Sequence, residues 1–102
     1  MTKNEKREHS DVLYQAILTL RDLDECKKFF SDLCTVAELR AMEQRFEGAM
    51  LLSDGMIYND ILERTGASSA TISRVNRSLQ YGADGYQAVL PRIKEQMDQH
   101  GV

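Results

Sequence analysis

The sequence predicts an all-α fold of six helices, and three observations carry that prediction. Apolar residues recur at three- and four-residue spacing along most of the chain, the period that lines one face of an α-helix. Two segments open with capping patterns, Asp22 with Glu25 and Thr35 with Glu38, in which a side-chain oxygen accepts from a free amide of the first turn. No alternating apolar–polar run is bounded by turn residues, so nothing reads as a strand.

The first helix follows from Val12, Leu13, Ala16, Ile17 and Leu20, and is expected from about Glu8 to Leu20. The second begins after Asp22 and carries Leu23, Cys26, Phe29, Phe30 and Leu33. The third begins after Thr35 and carries Val36, Leu39, Met42, Phe46, Ala49 and Met50. Ser53-Asp54-Gly55 ends it, because Asp-Gly favours a turn. Two short helices come next, separated by Gly66, which follows Arg64 and Thr65 where a helix end often needs positive φ. Ser68 is placed to cap the second of them. Ile72, Val75 and Leu79 form its buried face, with Ser69, Ser73, Asn76, Arg77 and Gln80 opposite. Tyr81 to Gly85 reads as a loop. The last helix carries Tyr86, Val89, Leu90, Ile93 and Met97, and Pro91 predicts a break, a kink or a new start within it.

A length of 102 residues supports one small domain. Residues 1–10 are expected as a flexible N-terminal arm and residues 11–99 as a single helical domain, with a two-helix motif at about 57–80. So small a core is marginal alone, and a second copy would add burial. The polar start lacks a signal peptide's apolar run, and no stretch approaches the roughly 20 apolar residues of a membrane span. A cytoplasmic protein without a membrane partner is expected. Cys26 and Cys34 stand eight apart with no Cys-x-x-Cys pattern, so free buried thiols are expected and no metal. His9 and His100, near the two ends, are expected in solvent. No nucleophile–base pair, metal-ligand cluster or phosphate-cradling glycine loop is present in the sequence, so no enzyme and no cofactor are expected.

The segment from Met56 to Leu79 carries the functional signal. Two packed bundle helices would also give a helix–glycine–helix pattern, but three details favour a helix-turn-helix. Both helices are short. The second opens with small residues, Ser69 and Ala70, which permit close approach to base edges and thymine methyls. Its outward side offers Ser73, Asn76 and Arg77, and no acid occurs from Thr65 through Ala83. The net charge of −3 opposes nucleic-acid binding mildly, yet Arg64 to Gln80 holds three arginines and no acid. Local charge matters more than the total. The expected DNA contacts are Ser68, Ser69, Ala70, Thr71, Ser73, Arg74, Asn76 and Arg77, with Tyr58, Asn59 and Arg64 of the preceding helix beside the backbone.

The residues Gly66-Ala67-Ser68-Ser69-Ala70-Thr71-Ile72-Ser73-Arg74 resemble the G-A-x-x-A-T-I-[ST]-R run of the Trp repressor recognition helix. Leu13 to Leu20 resembles that family's first helix, and Leu33-Cys34-Thr35 with Glu38-Leu39-Arg40-Ala41 resembles the start of its third. The resemblance extends from about Leu13 to Leu79 and points to the Trp repressor superfamily, within it the YerC/YecD-type Trp-repressor-like proteins. It implies a six-helix Trp-repressor-like fold, an intertwined homodimer and a probe of double-stranded DNA that reads a palindrome one turn apart. A DNA-binding transcriptional regulator, acting as a repressor, is the expectation.

The resemblance also implies an effector pocket at Thr35, Arg45, Arg74, Val75 and Ser78, where a Trp repressor holds L-tryptophan as corepressor. Val75 departs from the pattern, which has a glycine there. Its three extra carbons would crowd an indole ring. L-tryptophan, another small effector and no effector all remain open, and Arg45 reads equally well as a solvated or ion-paired side chain near Glu43 and Glu47. The functional alternative of another class is a protein-interaction module that keeps the fold without binding DNA. The negative net charge and the scarcity of lysine around the motif motivate it.

Overall fold

The computed structural model describes residues 11–99. They form six α-helices and no strand: α1 (Asp11–Ile17), α2 (Leu23–Leu33), α3 (Val36–Ser53), α4 (Tyr58–Thr65), α5 (Ser69–Tyr81) and α6 (Gly85–Gln99). No helix among these residues is long and apolar enough to cross a membrane. The expected arm, His9, His100 and the expected start at Glu8 lie outside the described residues. The chain divides into two compact units, one ending at Leu39 and one beginning at Arg40.

In the first unit α1 ends at Ile17 rather than Leu20. The Thr19 hydroxyl donates to the Ala16 carbonyl at 2.6 Å, and the amides of Thr19 and Leu20 bond three residues back. Those tighter bonds replace the α ladder and stop it. At the start of α2, the Glu25 amide donates to Asp22 Oδ1 at 2.8 Å, as expected of a cap. The Glu25 carboxylate reaches back to the Arg21 amide instead of the cap's own. The box at α3 is fully reciprocal: the Glu38 amide donates to Thr35 Oγ1 and the Thr35 amide to Glu38 Oε1. Neither α1 nor α2 buries a residue, and Val12, Leu18, Leu23 and Val36 are exposed. Cys26 on α2 and Cys34 at its C-cap are free thiols but only partly buried.

The Thr35 bonds hold the Glu38 carboxyl below its ordinary 4.5, the backbone amide first and the hydroxyl second. A lowered folded-state pKa means that this cap stabilises α3 above the unfolded value and is lost as pH falls through the folded one. Acid titration of the helical circular dichroism should therefore show a step below pH 4.5 that Glu38→Gln removes.

In the second unit two apolar clusters order the helices. Ala49, Val75 and Leu90 form one, with Phe46, Met50, Leu79, Tyr86 and Ile93 around them. Ile61, Ala67 and Ile72 form the other, joined by Leu51, Leu52, Met56 and Leu62. Gly48 on α3 permits the second: a Cβ there would lie 2.7 Å from Ile72 Cδ1. α6 runs unbroken through Pro91, contrary to the expected break or restart. Pro91 is exposed, so the carbonyl its ring leaves without an amide partner can be met by water. Tyr81, expected in a loop, is the last residue of α5, closed by the Gly82 amide on the Ser78 carbonyl at 2.9 Å.

Candidate nucleic-acid interface

The turn between α4 and α5 is built from three residues. Gly66 closes α4 in the left-handed region at φ 74° and donates its amide to the Leu62 carbonyl. Buried Thr65 fixes the exit: its hydroxyl donates to the Ile61 carbonyl at 2.8 Å and accepts from the Ala67 amide at 3.1 Å. Ala67 then inserts beside Ile61 and Ile72. A side chain at Gly66 would be forced into left-handed backbone, which costs about 1–2 kcal/mol even for small residues. Gly66→Val should lower the urea-unfolding free energy by about 2 kcal/mol, the β-branch adding strain.

Ser68 caps α5, accepting from the Thr71 amide at 3.1 Å while its hydroxyl donates to Thr71 Oγ1 at 3.0 Å. Ser68 and Thr71 are thus tied to each other and hold the helix end. Buried Ile72 and Val75 turn one side of α5 inward. Ser69, Ala70, Ser73, Arg74 and Arg77 are exposed on the other side, while Asn76 is half-buried and accepts from Gln80 at 3.3 Å. On α4, Tyr58, Asn59 and Arg64 are exposed, and no side chain caps its start. Its first amides therefore remain open to an acceptor.

Of the residues carried over for an effector, Thr35 caps α3 in the first unit, and the other four belong to the second. Val75 is 3% exposed, inside the cluster with Ala49 and Leu90. Arg45 is exposed on α3. Arg74 and Ser78 do share an open hollow of about 360 Å³, lined also by Arg77, Tyr81 and Gly82. Tyr81 and Gly82 were not among the expected site residues. The signal was present in the spacing, since position 81 follows Arg77 by four and Ser78 by three, the separations that meet on a helix face. A second cavity, also about 360 Å³, lies among Met50, Asp54, Leu79, Tyr86, Leu90 and Lys94, with Asp54 and Lys94 ion-paired at its edge. None of the expected effector residues lines it.

Two short helices around a left-handed glycine, the second exposing an acid-free side, define a small all-α protein of helix-turn-helix form. A family profile described as Trp repressor protein matches residues 8–94. The chain belongs to the Trp repressor family. It is 52% identical over 85 residues to the uncharacterized protein YerC of Bacillus subtilis (strain 168), covering 83% of this chain and 82% of that one. Among solved structures, it is similar to one from Staphylococcus aureus provisionally assigned as a Trp repressor. That match has 45% identity, a TM-score of 0.82, and covers 92% of this chain and 96% of the other. A TrpR-like protein from Eubacterium eligens ATCC 27750 matches with 52% identity and a TM-score of 0.82, covering 91% of this chain and 96% of its own.

Proposed function

We propose that this protein is a homodimeric, sequence-specific DNA-binding regulator of transcription, a repressor working in the cytoplasm, and not an enzyme. One observation carries it: α5 exposes Ser69, Ala70, Ser73, Arg74 and Arg77 on a helix without a single acid. Serine and small apolar groups suit base edges, and guanidinium groups suit phosphates. Membership of the Trp repressor family supports the same function. Ser69, Ala70, Ser73 and Asn76 then read bases, and Arg74 and Arg77 lie beside phosphates. Ser68 and Thr71 shape the helix start. Tyr58, Asn59 and the uncapped amides of α4 hold the backbone, where a helix N-terminus favours an anion, and Arg64 adds charge.

Dimerisation is supported by the uncovered apolar side chains of α1 and α2. Leu23 is 70% exposed, and burying such a side chain contributes about 1.5–3 kcal/mol. A second copy of the same helices supplies matching apolar surface. Control by L-tryptophan is not part of the proposal, because Val75 is already committed to the interior. The test is selection of bound duplexes from a random pool, with and without L-tryptophan. A palindrome with half-sites about 10 base pairs apart, recovered equally in both arms, is the expected result. A purified protein that shows no preference among duplexes at low salt would sink it. The net charge of −3 favours the other outcome, a protein-interaction module. That outcome would appear as a stoichiometric protein partner retained without nucleic acid.

A further inference from the structure

The second cavity lies within the second unit, where the ends of α3 and α5 meet α6. It shares no residue with the hollow at Arg74 or with the expected effector positions. Its volume of about 360 Å³ falls among small-molecule sites, which are mostly apolar with a few placed polar groups. Met50, Leu79, Leu90 and the Pro91 ring supply aliphatic walls. The one aromatic wall, Tyr86, already packs on Phe46 with ring centroids 6.3 Å apart. The Gln87 side-chain amide donates to the Leu79 carbonyl and ties α6 to α5 beside the cavity.

The polar groups at its rim are of both signs. Asp54 and Lys94 pair across the edge, both partly exposed, and no other charged residue lines the cavity. Pro91 adds an acceptor. Its ring nitrogen carries no hydrogen, so the Gln87 carbonyl, four residues back, has no helical partner at that position. Gln87 and Pro91 both line the cavity, which places the free carbonyl on the turn that forms its wall. A carboxylate and a carbonyl accept from an ammonium group, and the Lys94 ammonium binds a carboxylate. A lone amine would compete with Lys94 for Asp54, and a lone acid would meet the charge of Asp54. A head group carrying both signs satisfies all three and adds no net charge.

We propose that this cavity binds a small aliphatic α-amino acid. Its ammonium group sits on Asp54 and the Gln87 carbonyl, its carboxylate on Lys94, and its side chain against Met50, Leu79 and Leu90. The site stands independently of the DNA-binding function proposed above. An occupant touches α3, α5 and α6 at once, so it fixes the far end of the helix that carries Ser69 to Arg77. Its effect on DNA affinity is the one part that rests on that function.

Calorimetry on the full-length protein measures binding of L-leucine as the probe. Three compounds are compared with it: isocaproate, which lacks the ammonium group, isoamylamine, which lacks the carboxylate, and L-serine, which lacks the apolar chain. Amide spectra of protein labelled with nitrogen-15 locate the response, and circular dichroism checks that each variant is folded. L-Leucine should bind and shift the signals of Leu79, Gln87, Leu90 and Lys94, leaving Ile61 and Ala67 in place. Each comparison compound should bind about tenfold more weakly, and Lys94→Met and Asp54→Asn should each weaken leucine binding by about tenfold. Pro91→Ala restores the amide that the Gln87 carbonyl lacks, so it should raise the melting temperature while weakening leucine binding. A merely structural proline would change stability alone. Fluorescence anisotropy with a selected duplex should show a leucine-dependent change in affinity that Pro91→Ala reduces. Leucine binding by a protein that holds no duplex would support the site while removing the DNA-binding function. No response to leucine up to about 10 mM, equal binding of leucine and isocaproate, or unaltered binding in both Lys94→Met and Pro91→Ala would overturn it. Shifts of the same signals on dilution of the chain, with none from leucine, would overturn it in favour of a second copy as the occupant.

Discussion

Ile72→Ala should lower the free energy of unfolding by about 3–4 kcal/mol, the middle of the range for a fully buried large-to-small change. Ile72 has no exposed surface and packs in one cluster with Ile61 and Ala67. Its Cδ1 end lies where a Cβ on Gly48 would sit at 2.7 Å. Truncation therefore leaves a void between α3 and α5 that Gly48 has no side chain to fill. Leu51 and Leu52 are held on α3, and Ala67 is fixed in the turn by its bond to Thr65, so collapse into the void is limited. Whole domains have about 5–15 kcal/mol of stability, which makes such a loss close to unfolding. Urea denaturation at one fixed chain concentration, read by circular dichroism, measures it, since an oligomer's stability depends on concentration. A loss under about 1 kcal/mol would mean that this cluster does not hold the two motif helices together.

Ala70→Glu should leave the fold intact and reduce DNA affinity by about a hundredfold or more. Ala70 is exposed in the first turn of α5, two residues after the Ser68 cap. A carboxylate there is favoured by the helix dipole, by about 0.3–1 kcal/mol, so stability should hold or rise. Against DNA the same charge faces phosphates and base acceptors, and like charges brought together cost several kcal/mol. Ala70→Gln, of equal size without the charge, should keep most of the affinity. Fluorescence anisotropy at two salt concentrations separates the pair. Wild-type affinity in Ala70→Glu would mean that the exposed side of α5 does not meet DNA.

Much of the fold was legible because it is local. Caps at Asp22, Thr35 and Ser68 act within three or four residues, and Gly66 answers a backbone requirement at its own position. The period of Ile72, Val75 and Leu79 marked the inward side of α5 without reference to any partner. Where the reading missed, the deciding interaction was finer or more distant. α1 stops at Ile17 because one hydroxyl competes for a carbonyl, a choice that apolar spacing does not encode. The helix continues through Pro91 because that turn faces solvent, which depends on what packs on the other side.

For the candidate interface the division is similar. The acid-free run from Thr65 through Ala83, the small residues at 69 and 70 and the turn glycine stand in the sequence itself. They mark a helix-turn-helix because residue type and helical period are read without knowing what packs against them. Only the tertiary structure decided which residues cover Val75, namely Ala49 and Leu90, and that Tyr81 extends α5 to complete a hollow with Arg74, Arg77 and Ser78. The physical reason is range. Capping, turn strain and periodicity act between near neighbours, whereas burial and the shape of a surface arise only when segments distant in the chain are packed together.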